Sequence, residues 1–172
     1  MIIKTCPSLS AYVNKIEQIY SECGLDDVVL FRGHSNNKFL LLPAAFRDGK
    51  ADEFSECHKI EIEYPEEFNK RDHLSSLAKM QHYGVKTRLL DFTRNPLVAL
   101  YFAVCENQDK DGAILVIKNK ANKIKHHSSD TVLCLACLSF LTKDDQTELL
   151  KYCLNHRGKK LGKFAYQTNR AV

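Results

Sequence analysis

The sequence predicts an α+β protein, with a small mixed sheet of short core strands surrounded by helices. Three observations lead there. Two short runs, residues 28–32 (VVLFR) and 113–117 (AILVI), are apolar, rich in β-branched residues and bounded by turn residues. Most other apolar residues recur at three- and four-residue spacing, which marks helices. The order of the elements gives few strands and a helix-rich periphery. At 172 residues the chain fits one domain, residues 1–172.

Taken in order, the first helix should start at Ser8 or Ser10 as N-cap and run to Cys23. Leu9, Tyr12, Val13, Ile16, Ile19, Tyr20 and Cys23 would form its apolar stripe, and Gly24 its stop. Residues 28–32 form a core strand ended by Gly33, with Arg32 at its C-terminal end and a polar turn over 34–37. Residues 38–46 are apolar but interrupted by Pro43, hence extended or irregular at first. A helix is predicted over 52–64, with Phe54, Cys57, His58, Ile60 or Ile62, and Tyr64 inward. Pro65 breaks it. A further helix starts at Pro65 or Asp72, turns Leu74, Leu77, Ala78 and Gln81 inward, and ends at Gly84. Residues 86–92 read as a short strand or extended segment. Asn95-Pro96 is an N-cap followed by proline at the first helical position. The helix over 96–106 (PLVALYFAVCE) is almost wholly apolar and is expected to be central and buried. After the 113–117 strand comes a basic loop over 118–127. Then come a helix capped by Ser129 or Asp130 and running to Leu141, and another capped by Thr142 with Leu149, Leu150 and Cys153 inward and Gly158 beyond its end.

An apolar fraction of 44% supports a sizeable core. No run of 18 apolar residues suggests a membrane span, and the start, MIIKTCPSLS, lacks the features of a secretory signal. Seven cysteines, an odd number with mostly apolar neighbours, point to reduced thiols and a cytoplasmic protein. The net charge is a mild +4. Acid gathers over 52–67, and base (Arg157, Lys159, Lys160, Lys163, Arg170) over 156–172. A basic end can meet nucleic acid, but Phe164 and Tyr166 are its only aromatics, so a solvated end is preferred and nucleic acid is not the expected partner. The sequence names no protein partner.

Several residues could carry chemistry. Arg32, fixed at a strand end beside Gly33, presents a planar fork suited to phosphate or carboxylate. Gly33 would let a ligand or a second backbone approach. The bland alternative for Arg32 is a structural ion pair with Asp91. On an extended 86–92 segment, Thr87, Leu89 and Asp91 share one face and Arg88, Leu90 and Phe92 the other. Asp91 could hold an arginine or cap the turn ahead. Thr93 and Arg94 fall near the N-terminus of the Pro96 helix, an end that favours anions, though for Asp91 and Thr93 singly the preferred reading is that they merely cap the loop. Gln81 and His82 precede Gly84, and His82 could act as a base or, more simply, as a helix C-terminal group. Cys134 and Cys137, with His126 and His127 upstream, have zinc-like spacing. They sit inside the apolar run VLCLACLSFL, where helical packing explains them, so no metal is expected.

These residues carry a resemblance. Phe31-Arg32-Gly33 after an apolar strand, then QHYGVKTRLLDFTRNPLVALYFAV and DGAILVI, resembles the FRG domain family over residues 28–117. The resemblance implies a bacterial or phage-encoded protein, without giving a reaction. A more distant similarity is to ADP-ribosyltransferases of the Arg-Ser-Glu type, in the order of an arginine strand, a threonine-bearing segment and an Ala-x-x-Phe-Ala-like helix. It implies that Arg32 holds the phosphate or ribose of NAD, that Thr93 buttresses the site, and that Tyr83 or Tyr101 stacks on a ring. Toxin or antiphage roles follow from it. Ligand-binding candidates are therefore Arg32, Gly33, Gln81, His82, Thr87, Arg88, Asp91 and Thr93. The alternative is a non-catalytic protein- or nucleic-acid-binding module in which these residues are structural. Such enzymes also need a late glutamate, usually on a strand. The acids after Gly112 are Asp130, Asp144, Asp145 and Glu148, and Glu148 falls in a predicted helix. The resemblance further implies a truncated form, because family members continue past the KFAYQTNRAV with which this chain ends.

Overall fold

A computed structural model describes residues 5–47, 52–68 and 72–155. In chain order its elements are α1 (Leu9–Ser21), β1 (Asp27–His34), α2 (Ala44–Arg47), α3 (Glu53–Glu63), α4 (Pro65–Phe68), α5 (His73–His82), α6 (Pro96–Val104), β2 (Ala113–Lys120), α7 (Asp130–Cys137) and α8 (Lys143–Asn155). The fold is α+β. The described residues form two compact units, residues 5–39 with Asp91–Ile124, and the described parts of 40–90 and 125–155. No described helix is long and apolar enough to cross a membrane. The basic stretch 156–172, with Gly158, lies outside the described residues.

In the first unit, β1 and β2 pair antiparallel from Asp27 opposite Lys120 to His34 opposite Ala113. The sheet of the described residues is this antiparallel pair rather than the mixed sheet expected. Residues 86–92 do not add a third strand. The Lys86 and Arg88 amides donate to the carboxylates of Glu56 and Glu53, so side chains hold the donors a ladder would need. An isolated bridge, between Phe31 and Thr93, joins the next segment to β1.

Ser8 caps α1 by accepting from the Ala11 amide at 3.2 Å. Tyr12 and Ile16 are the stripe residues that α1 buries, and they pack with Val29, Phe31 and Ala99. Leu9 and Tyr20 stay exposed. Gly24 does not end α1 in a left-handed conformation; its amide donates to the Asp27 carboxylate at 2.9 Å. Lys118 and Lys120 also pair with Asp27, at 3.0 and 2.7 Å. The Lys120 ammonium, the Gly24 amide and then Lys118 hold that carboxyl well below its usual range.

Gly33 lies inside β1 instead of ending it, and its role follows from packing. A Cβ there would fall 1.9 Å from the Ala99 carbonyl oxygen and 2.7 Å from the Ala103 amide of α6. A Cβ on Gly112, just before β2, would fall 2.2 Å from the Ala103 carbonyl oxygen. Two glycines and two alanines thus let α6 rest backbone against backbone on the sheet. This close seat corrects the expectation of a buried α6. Only the face with Ala99 and Ala103 reaches the sheet, while Leu97, Tyr101, Phe102 and Val104 are each more than half exposed. The Asn95-Pro96 cap forms as predicted, with Asn95 Oδ1 accepting from the Leu97 amide at 2.9 Å.

In the second unit, Asp52 and Asp72 cap α3 and α5 through Ser55 and Ser75. Gly84 ends α5 with φ +87°, a left-handed stop that suits glycine. Cys57, Phe68, Leu77, Met80, Val85 and Ala136 form the core. Of the alternatives Ile60 and Ile62, Ile60 packs against the core, while the predicted inward residues His58, Tyr64 and Ala78 are exposed. α7 stops at Cys137 and continues as a 3-10 turn over Leu138–Phe140. Thr142 caps α8, accepting from the Asp145 amide at 3.2 Å.

Candidate functional site

The polar residues named from the sequence fall into two groups. Arg32, Gly33, Asp91 and Thr93 belong to the first unit, and Gln81, His82, Thr87 and Arg88 to the second.

In the first unit the alternation of β1 assigns each side chain a side. Val29, Phe31 and Gly33 face α1 and α6, so Arg32 and His34 share the opposite face. Arg32 is half-buried. Its Nη1 donates to the Asp91 carbonyl oxygen at 2.6 Å, and its Nε to His34 Nε2 at 3.2 Å. What holds Asp91 in reach is the bridge two residues on. The Phe31 amide donates to the Thr93 carbonyl at 2.7 Å, and the Thr93 amide to the Phe31 carbonyl at 2.8 Å. Thr93 Oγ1 then accepts from the Asn95 amide at 3.0 Å, and Asn95 caps α6 in turn. The Leu97 amide of α6 is therefore taken by the helix's own cap, and Pro96 has none to offer. Tyr12 Oη donates to the Pro96 carbonyl at 2.8 Å and fixes the same end from α1. Burial pushes that phenol up to about 12, so it remains a donor.

His34 and Ser35 were not singled out by sequence reasoning, which placed them in a turn. Both are buried. His34 stands edge-on to Phe39, with ring centres 6.2 Å apart. Ser35 Oγ accepts from Asn107 Nδ2 at 2.8 Å, and Asn107 has a positive φ of 47°. A signal for His34 was present: it stands two residues beyond Arg32, the spacing that shares a strand face.

In the second unit the signature residues bind one another or α3. Thr87, almost fully buried, donates from Oγ1 to Gln81 Oε1 at 2.7 Å. Its hydroxyl also accepts from the Leu89 amide at 3.3 Å. Arg88 is held by Glu53, which accepts from the Arg88 amide, Nε and Nη2 at 2.6, 2.8 and 2.7 Å. Both side chains are shielded, with 16% and 8% of their surface exposed, so the pair is a buried one. Glu53 is the partner the sequence did not reveal, since it lies 35 residues upstream. His82 is exposed at the last turn of α5. Tyr83 packs on Tyr64 and Phe68, while Tyr101 is exposed on α6. Cys134 and Cys137 lie one turn apart on α7, and all seven cysteines are free thiols. Burial raises the Cys137 thiol above its ordinary value. The described residues include no group of three or more His, Cys, Asp or Glu placed to hold a metal.

Site and fold thus define an α+β protein whose arginine-bearing strand, threonine bridge and glycine-seated helix are local neighbours. That set is what the matching family model spans. The FRG domain model matches residues 27–112, half of the chain, and the protein belongs to the FRG domain family. No curated protein and no solved structure matches the chain. Membership fixes the family and leaves the reaction open.

Proposed function

We propose that the Arg32 side of β1 binds NAD or a related nucleotide, and that the protein acts as an ADP-ribosyltransferase-like toxin or defence protein of bacterial or phage origin. The observation that carries this reading is the reciprocal Phe31–Thr93 pair, with bonds of 2.7 and 2.8 Å. It sets a threonine-bearing segment, leading directly into α6, beside the strand that carries Arg32. The same pair brings the Asp91 carbonyl to Arg32 Nη1, so the guanidinium is fixed before any ligand arrives. A guanidinium pre-oriented at a strand edge suits the paired oxygens of a phosphate. The reaction would require a carboxylate against the ribose. Glu148 lies on α8, exposed, and no step is assigned to it.

Thermal-shift measurements on the whole chain test the reading. NAD or ADP-ribose at about 100 times its Kd should stabilise by about 2.7 kcal/mol and raise Tm by roughly 5–10 °C. Oligonucleotides should leave Tm in place. Arg32→Ala should remain folded and lose the response. No response of the wild-type chain to either nucleotide, together with unfolding by Arg32→Ala, would overturn it.

A second reading, a non-catalytic binding module with structural signature residues, is favoured by the second unit. There Gln81, Thr87 and Arg88 are engaged by partners within the fold. The exposed apolar side of α6 gives such a module a surface to use.

A further inference from the structure

The strongest unassigned group on the arginine face is His34, and its role rests on the nucleotide reading above. Arg32 Nε approaches His34 Nε2 at 3.2 Å. A guanidinium has only donors, so Nε2 is the acceptor of this pair. The ring is itself held. It is buried, 6% exposed, and packs edge-on against Phe39. Its backbone is set by the pairing of His34 with Ala113. Gly33, between the two side chains, cannot shift towards α6 without meeting the Ala99 carbonyl.

The guanidinium is therefore gripped at two nitrogens, Nε by His34 and Nη1 by the Asp91 carbonyl. Two contacts on a planar group fix its plane as well as its position. We infer that His34 is a positioning residue: it sets the plane in which Arg32 meets a phosphate, without touching the ligand itself. What the position requires is an acceptor at the place of Nε2. Glutamine can offer its Oε1 there, whereas leucine fills the space without an acceptor.

The test uses the full chain labelled with ¹⁵N, and calorimetric titration with ADP-ribose. The Arg32 Nε–H cross-peak, identified by its disappearance in Arg32→Lys, should be protected from solvent exchange in the wild type. It should lose protection in His34→Leu and keep it in His34→Gln. ADP-ribose affinity should fall about tenfold or more in His34→Leu, the effect of removing one hydrogen bond to a charged group, and largely return in His34→Gln. Should His34→Leu fail to fold, His34→Val, equally without an acceptor and at home in a strand, supplies the same comparison. Unchanged protection of the Arg32 cross-peak in the folded acceptor-free variant would overturn the inference, as would undiminished ADP-ribose affinity. If the wild type binds neither NAD nor ADP-ribose, the nucleotide reading fails, and the cross-peak alone decides whether His34 positions Arg32.

Discussion

Replacing Gly33 by alanine probes the contact on which the first unit is built. The added Cβ would sit 1.9 Å from the Ala99 carbonyl oxygen, 2.7 Å from the Ala103 amide and 3.0 Å from the Ala99 carbonyl carbon. All three are backbone atoms, so no side-chain rotation relieves the overlap. Reaching an ordinary contact needs α6 and β1 to part by about 1.5 Å. A gap of even 0.5–1 Å forfeits roughly a quarter to a half of each dispersion contact across it. The contacts at stake belong to Phe31 and Ala99, both fully buried. Overpacking of flexible side chains costs about 1–3 kcal/mol, and a clash of two backbones belongs at or beyond the top of that range. Gly33→Ala should therefore cost about 3 kcal/mol or more, read in urea denaturation, and lower Tm by roughly 6–12 °C. Gly24→Ala is the control, since its Cβ meets nothing closer than Lys120 Nζ at 3.7 Å. It should change stability by no more than about 0.5 kcal/mol. If Gly33→Ala matched Gly24→Ala, the close seat of α6 would be wrong.

Other expectations follow from the same geometry. Glu53→Ala strips a half-buried arginine of its partner and should cost about 3 kcal/mol by chemical denaturation, whereas Glu67→Ala, breaking the more exposed pair with Lys79, should cost under about 1 kcal/mol. Equal costs would show that the Arg88–Glu53 pair is not shielded. Cys57 is fully buried, and burial, reinforced by Glu53, pushes its thiol up to about 12. It should resist alkylation at pH 8 in the folded chain while exposed Cys6 labels, and mass spectrometry of the labelled peptides would detect a failure. Asp27 has a folded pKa depressed below the ordinary 3.8, so its contribution is fully present above that value and is lost as pH falls below it. Asp27→Asn should lower stability at pH 6 and flatten the loss between neutral and strongly acid pH; an unchanged pH profile in denaturant titrations would contradict the assignment.

The sequence made the local features legible. Ser8, Asn95-Pro96 and Gly84 announced their caps and stop, because capping depends on atoms within a few residues. The two strands were visible in their β-branched runs; an ion pair of Arg32 with Asp91 was only the bland alternative, and the bond seen runs to the Asp91 main-chain carbonyl. Long-range partners were not legible. Nothing near Arg88 indicates that Glu53 would supply its counter-ion. Nothing local shows that Glu53 and Glu56 would occupy backbone donors and keep residues 86–92 out of the sheet. α6 was misread for a related reason. Its composition is apolar all round, but how much of that surface is covered depends on the seat at Gly33 and Gly112. His34 was missed because Gly33 reads as a strand end, whereas here it is the point at which the strand meets a helix backbone.

The most direct measurement is calorimetric titration of NAD into the wild-type chain and into Arg32→Lys. Lysine keeps the charge and loses the fork that meets a phosphate in two places. Saturable binding to the wild type, weakened about tenfold or more in Arg32→Lys with the fold intact, is the predicted result. Absence of binding to the wild type, or equal affinity in the two, would contradict a nucleotide site built on Arg32.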